Sequence, residues 1–267
     1  MTEPDPSAQY LTEAESTTPL PAATIILSRD GAEGLEVLVL QKAPGKHFAG
    51  GALVFPGGKS DEADIAHAAD FGDPDDAYGV LKVTAVREMH EETGILLARR
   101  PGAEELLHAD EVAEILSADP GAPVLAAARR AGIELATDRL ERFAHWITPP
   151  SRAKRFDTHF FVAPAPPGQA DVTVDGYEIV DAEWRRPGDI LDEVHAGRLK
   201  LVLPTMMNLI KLAHWDGVQA LMAHARREEV VCVRPKRVET DQGQQIVIPA
   251  EAGYGVTTIP SQFLRSA

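Results

Sequence analysis

Arg87, Glu88, Glu91 and Glu92 crowd into the run REMHEETGIL. Side chains three and four apart meet on one side of a helix, so Glu88, Glu91 and Glu92 would share a face. Two readings fit. The face is a solvated one, on which like charges repel by roughly 0.3 kcal/mol per pair. Alternatively it is a cradle for a hard divalent cation such as Mg²⁺ or Mn²⁺, which takes oxygen ligands and relieves that repulsion. Val83, Val86 and Met89 fall elsewhere on the same helix and point it at a core. The run by itself leaves both readings open.

The flanking elements narrow the choice. The apolar pattern predicts a helix from Val80 to Thr93, with Gly94 placed to end it. Upstream, Phe55-Pro56-Gly57-Gly58 closes a short strand in a glycine turn, where backbone can approach a helix or a phosphate closely. AATIILS and LEVLVLQ read as strands joined by a turn containing Asp-Gly, followed by the acidic segment KSDEADIAHAADFGDPDDAYG with at most one short helix near Ile65. From about 104 to 143 strand signals are lacking, and EELLHADEVAEILS, PVLAAARRAG and DRLERFAHW read as an insertion of helices. FDTHFFVAPAP and YEIVDAEWRRP return to strand. PGDILDEVHAGRL and LPTMMNLIKLAHWDGVQALMAHARR follow as helices, and EEVVCVRPKRV, QQIVIP and YGVTTI as a last group of strands. The expectation is an α+β chain: a loose lead-in over residues 1–20, then one domain over 21–267 with an acidic insertion at about 65–79 and a helical one at about 104–143.

With those elements in place, Gly58 and the stretch Arg87 to Ile95 resemble the Nudix box, G-x5-E-x7-R-E-U-x-E-E-x-G-U, where U is a bulky aliphatic residue. The second half matches at every specified position. In the first half, the expected glutamate six residues after Gly58 is Asp64, and 22 residues separate it from Arg87 where the box has seven, an insertion of 15. A split box, FPGG, the helical insert and WITPPSRAKRFDTHFF (Trp146 to Phe161) make the chain similar to a Nudix branch that includes coenzyme A diphosphatases.

That resemblance implies an α/β/α sandwich with a mixed sheet, and hydrolysis of a nucleoside diphosphate linked to another moiety. It implies Mg²⁺ or Mn²⁺ on Glu88, Glu91 and Glu92, with Arg87 orienting them. The first acidic residue of the box mainly pairs with its arginine, a part open to Asp64, to Glu62 or to neither. The general base is Glu92 or a glutamate of a facing strand or loop, for which Glu178 and Glu183 are candidates. Gly57 and Gly58, with Arg152, Lys154 and Arg155, are candidates for binding substrate, the basic run by meeting a terminal phosphate. Lys42 and Lys46 are weaker candidates. Coenzyme A or an acyl-CoA is the leading substrate; ADP-ribose, NADH, a nucleotide sugar or capped RNA are rivals, and a catalytically silent domain that binds a nucleotide or a partner protein is the alternative of another class. A homodimer is expected by analogy alone.

Composition bounds these readings. A net charge of −15 over 267 residues argues against a broad nucleic-acid surface or attraction to anionic lipid. The lead-in has neither the basic start nor the apolar core of a signal peptide, and no apolar run approaches the ~20 residues of a membrane span, so a cytoplasmic protein is expected. The lone Cys232 reads as a buried small hydrophobe, and no Cys/His spacing along the chain suggests zinc. His145 and His159 read as packing or surface residues, and Trp146 as a candidate to stack on adenine.

Overall fold

Ala23, Ile25 and Leu27 alternate with Ile26, and Leu38 and Leu40 alternate with Val37 and Val39; all eight are fully buried. Strands apolar on both faces belong in the middle of a sheet covered on both sides. In the computed structural model, which describes residues 17–45, 49–71, 75–174, 176–241 and 243–260, β1 (Leu20–Gly31) and β2 (Gly34–Lys42) form that centre as an antiparallel hairpin. β3 (Leu53–Val54) pairs with β2, and β4 (Gly57–Lys59) folds back on β1.

The acidic segment holds α1 (Glu62–Phe71), and α2 (Gly79–Thr93) follows, ended by Gly94 in the left-handed region at φ 75°. β5 (Ala98–Arg99), α3 (Ala109–Ser117), α4 (Val124–Ala131) and β6 (Glu134–Leu135) make up the insert, with β5 and β6 paired. Two expectations fail here. The segment from 104 to 143 is not free of strand, and DRLERFAHW is not a helix. After one 3-10 turn at Thr137–Arg139 it becomes β7 (Glu141–Ile147). Its apolar residues suit either period, and pairing with β8 (Phe156–Pro164) decides the matter.

β8 also runs parallel to β1, β9 (Ile179–Arg185) pairs with β2, and β10 (Cys232–Val233) adds to β7. The result is one mixed eight-stranded sheet. On one face α2 and the insert cover Ala23, Ile25, Leu27, Leu38, Leu40 and Phe161. On the other, α5 (Pro187–His195), α6 (Leu203–Leu212) and α7 (Val218–Ala225) cover Ile26, Val37, Val39 and Phe160. The long helix expected over 203–227 is broken at 213–217, where Asp216 and Gly217 turn the chain. β11 (Lys236–Thr240), β12 (Gly243–Val247) and β13 (Thr258–Pro260) form a small sheet, from which Ile246 and Ile259 join the second core.

Candidate active site

The site is built around a buried arginine. Arg87, one turn and a half before the end of α2, donates from Nε to Asp64 Oδ1 at 2.7 Å and from Nη2 to Asp64 Oδ2 at 2.8 Å. Its Nη1 donates to Glu88 Oε1 at 2.9 Å and to Glu91 Oε2 at 2.8 Å, and Nη2 also reaches the Lys59 carbonyl of β4 at 3.1 Å. Burial opposes the charge on Arg87, but the hydrogen bonds to Asp64 and the surrounding carboxylates outweigh it and hold the guanidinium charged.

Asp64, fully buried, is fixed by its place in α1. Asp61 precedes the helix, and its backbone N–H donates to Asp64 Oδ2 while Asp61 Oδ1 accepts from Asp64 N, both at 3.0 Å. That is a reciprocal cap. The Thr84 hydroxyl adds a 2.9 Å bond from α2. The first turn of α1 thus aims the acidic residue at Arg87 before the extra residues begin. An insertion placed after that turn lengthens the chain without moving the pair, so the split box closes.

The glycines explain themselves by contact. A Cβ on Gly58 would overlap the Glu88 carboxylate, and one on Gly57 would overlap the Ala23 carbonyl and Thr24 of β1. The absence of both side chains lets β4 lie against β1 and leaves the Glu88 head its place. Gly57 N–H donates to Glu92 Oε2 at 2.9 Å. Burial pushes the Glu92 carboxyl up to about 8; the Gly57 bond and Lys42 work against that rise, and Glu88 and Glu178 with it. Glu88 is raised as well, by burial first, with Arg87 opposing. Glu91 is exposed.

Glu88, Glu91 and Glu92 thus form an all-oxygen donor set at one end of α2, two of its members lifted by burial beside like charge. A divalent cation is the group that such a set suits. The glutamate heads are not drawn together into a closed cage: Glu92 is turned to Gly57, and Glu91 to Arg87.

The other candidates divide. Lys42 pairs with Glu178 at 2.9 Å, and both act on Glu92, so Glu178 belongs to this neighbourhood. Glu183 does not reach it. It sits opposite Val39, whose side chain is in the core under α5 to α7, and lines a small cleft there with Leu53 and Leu199. The structure therefore moves Glu183 to the face away from the box. Arg152, Lys154 and Arg155 lie in the β7–β8 connection. Arg155 donates to the carbonyls of Thr148 and Thr17, and Lys154 lies over the Phe156 ring. Lys46 falls outside the described residues. Trp146 is not free to stack on a base: it is 3% exposed and its Nε1 donates to Tyr254 Oη at 2.8 Å. Cys232, expected to be buried, is half-buried beside His145.

Comparison with known proteins gives a consistent family picture. The model described as the NUDT19 Nudix domain matches residues 72–212. A Nudix hydrolase of Alicyclobacillus acidocaldarius superposes with a TM-score of 0.67 at 31% identity, covering 78% of this chain and 96% of the other. The putative nudix hydrolase 7 of Caenorhabditis elegans is 26% identical across 80% of this chain and 67% of its own length. The acyl-coenzyme A diphosphatase NUDT19 of Gallus gallus is 25% identical over 70% of this chain, which spans 63% of that relative's length.

Proposed function

Because the chain belongs to the Nudix hydrolase family, with a NUDT19-like Nudix domain, we propose that it is a metal-dependent pyrophosphohydrolase acting on coenzyme A or an acyl-CoA. The observation that carries the hydrolase reading is the Asp64–Arg87 pair holding Glu88 and Glu91 beside Glu92, with each charged group partnered. The substrate reading is supported by likeness to the chicken acyl-coenzyme A diphosphatase.

Glu88, Glu91 and Glu92 would hold the cation, Mg²⁺ or Mn²⁺. Bound there, it supplies neutralisation of charge on the diphosphate oxygens. Arg87 acts as a positioning residue, because its Nη1 ties Glu88 and Glu91 together while Asp64 keeps the fork from rotating. Gly57 N–H orients Glu92, a candidate to accept a proton during hydrolysis. Glu178, ion-paired to Lys42, is the second candidate for that proton. Substrate would lie over the glutamate face, with Arg152, Lys154 and Arg155 proposed to meet its distant phosphate.

A product assay tests the proposal. Protein with Mg²⁺ or Mn²⁺ is incubated separately with coenzyme A, ADP-ribose, NADH and a nucleotide sugar. The expected products are 3′,5′-ADP and 4′-phosphopantetheine from coenzyme A. Cleavage of another substrate alone would keep the chemistry and remove the coenzyme A reading. Absence of both cleavage and metal binding would favour a silent domain.

A further inference from the structure

Arg87 is the obvious cation to meet a diphosphate at the box, and the structure spends it entirely. A guanidinium has five N–H groups. Nε and one donor of Nη2 go to Asp64, the other donor of Nη2 goes to the Lys59 carbonyl, and the two of Nη1 go to Glu88 and Glu91. None remains for a phosphate oxygen. The carboxyls of Glu88, Glu91, Glu92 and Glu178 crowd the same neighbourhood, and the chain as a whole carries a net charge of −15. A diphosphate approaching this face needs a second positive group with donors to spare.

Two nearby lysines do not meet that need. A Cβ on Gly58 would point at Glu88, so the Lys59 side chain, one residue on, leaves β4 from the opposite face. Lys82 of α2 is held by Asp76 at 2.8 Å, at the end of the helix away from the glutamates. Lys42 is placed otherwise. Its side chain leaves β2 on the same face as Leu40, two residues earlier, and its cross-strand partner Ile179 belongs to the core under α2. The backbone there is fixed from both sides. Lys42 N–H donates to the Ala52 carbonyl at 3.1 Å, Gly51 N–H donates to the Lys42 carbonyl at 3.2 Å, and Ala43 N–H donates to the Glu178 carbonyl at 2.9 Å. The side chain is 13% exposed, and its charge acts on Glu92. One N–H of the ammonium meets Glu178 Oε1 at 2.9 Å, which leaves two for a ligand. The Glu178 side chain is 56% exposed, so water screens the pair and little is lost by parting it.

We propose that Lys42 binds the diphosphate of the substrate, exchanging its contact with Glu178 for a phosphate oxygen beside Glu92. Because coenzyme A, ADP-ribose, NADH and a nucleotide sugar all carry a diphosphate, this role rests on the hydrolase reading and not on coenzyme A. Between turnovers Glu178 keeps the ammonium at the edge of the glutamate face. When the phosphate takes the ammonium, the exposed Glu178 carboxylate is left to water, which solvates it at little cost.

The test measures binding without turnover, in the full chain. α,β-Methylene-ADP, whose carbon bridge resists hydrolysis, is titrated by calorimetry at saturating Mg²⁺. Metal affinity is read separately, from the electron paramagnetic resonance signal of free Mn²⁺. Lys42→Gln should weaken binding of the analogue about 10- to 100-fold, the range of one hydrogen bond between charged groups. Its Mn²⁺ affinity should be unchanged or higher, because a positive charge beside Glu92 has gone. A lysine that only props up the cradle would lose both together. Lys42→Arg should recover most of the loss, since it keeps the charge and the donors. Glu178→Gln should bind the analogue at least as tightly as the wild type, since it releases the ammonium. Analogue affinity unchanged in Lys42→Gln, Mn²⁺ affinity falling in step with it, or weaker binding in Glu178→Gln would overturn the assignment. A wild type that takes up neither Mn²⁺ nor the analogue would overturn the hydrolase reading along with it.

Discussion

Glu92→Gln should make the metal-free protein more stable at alkaline pH while removing its response to Mg²⁺. Burial lifts this carboxyl from an ordinary 4.5 to about 8. Below the lower value the group is protonated in both folded and unfolded chains and contributes nothing. Between the two values the unfolded chain ionises first, so the folded state loses stability as pH rises, and above about 8 the loss is complete. At 1.36 kcal/mol per pH unit the penalty reaches roughly 5 kcal/mol, an upper bound because water and the Gly57 N–H soften it. Glutamine keeps an oxygen for Gly57 N–H and carries no charge. Urea unfolding with EDTA at pH 5, 7 and 9 should therefore show the variant and wild type nearly equal at pH 5. At pH 9 the variant should be ahead by about 2–5 kcal/mol. Added Mg²⁺ should raise the wild type's stability with concentration and leave the variant's almost unchanged. A gap that does not widen with pH, or a variant less stable at pH 9, would refute the reasoning.

Arg87→Ala leaves the Asp64 carboxyl fully buried without its partner, and should lower stability by about 3–5 kcal/mol in denaturant titration. Arg87→Lys should restore only part of this, since an ammonium cannot make the two-pronged contact. Gly58→Ala pushes a methyl into the Glu88 carboxylate and should lower kcat/KM on the order of 10²-fold, with Mg²⁺ affinity falling in the same protein. Tyr254→Phe breaks the buried relay from Trp146 Nε1 through Tyr254 Oη to Asn208 Oδ1. It should lower stability by about 1–3 kcal/mol while leaving kcat unchanged, because that network lies in the core under α6.

What the sequence disclosed and what it hid follow from the range of the contacts involved. Helix α2 and its end were legible because periodicity and a glycine stop act within a few residues; the structure begins the helix one residue earlier, at Gly79. The register of Asp64 with Gly58 survived the insertion, so the pairing with Arg87 could be framed, but only the reciprocal cap with Asp61 shows why it closes. Glu183 misled because strand residues alternate between faces, and which face its neighbours occupy depends on the pairing of β9 with Val39 of β2. DRLERFAHW misled because its apolar residues fit a helix until β8 supplies hydrogen bonds. The stacking of His145 on His159 beside Asp157 was not legible, because it depends on the cross-strand register of β7 with β8.

The most direct test of the metal cradle is the initial rate of coenzyme A hydrolysis as a function of Mg²⁺ concentration, in wild type and Glu91→Gln. Glu91 is exposed and is tied to its own helix through Arg87, so the variant should fold normally. The prediction is saturable Mg²⁺ dependence in the wild type, and a rate at least 10²-fold lower in the variant with a higher Mg²⁺ requirement. A variant that hydrolyses coenzyme A at the wild-type rate and the same Mg²⁺ dependence would contradict the assignment of the α2 carboxylates as the metal's ligands.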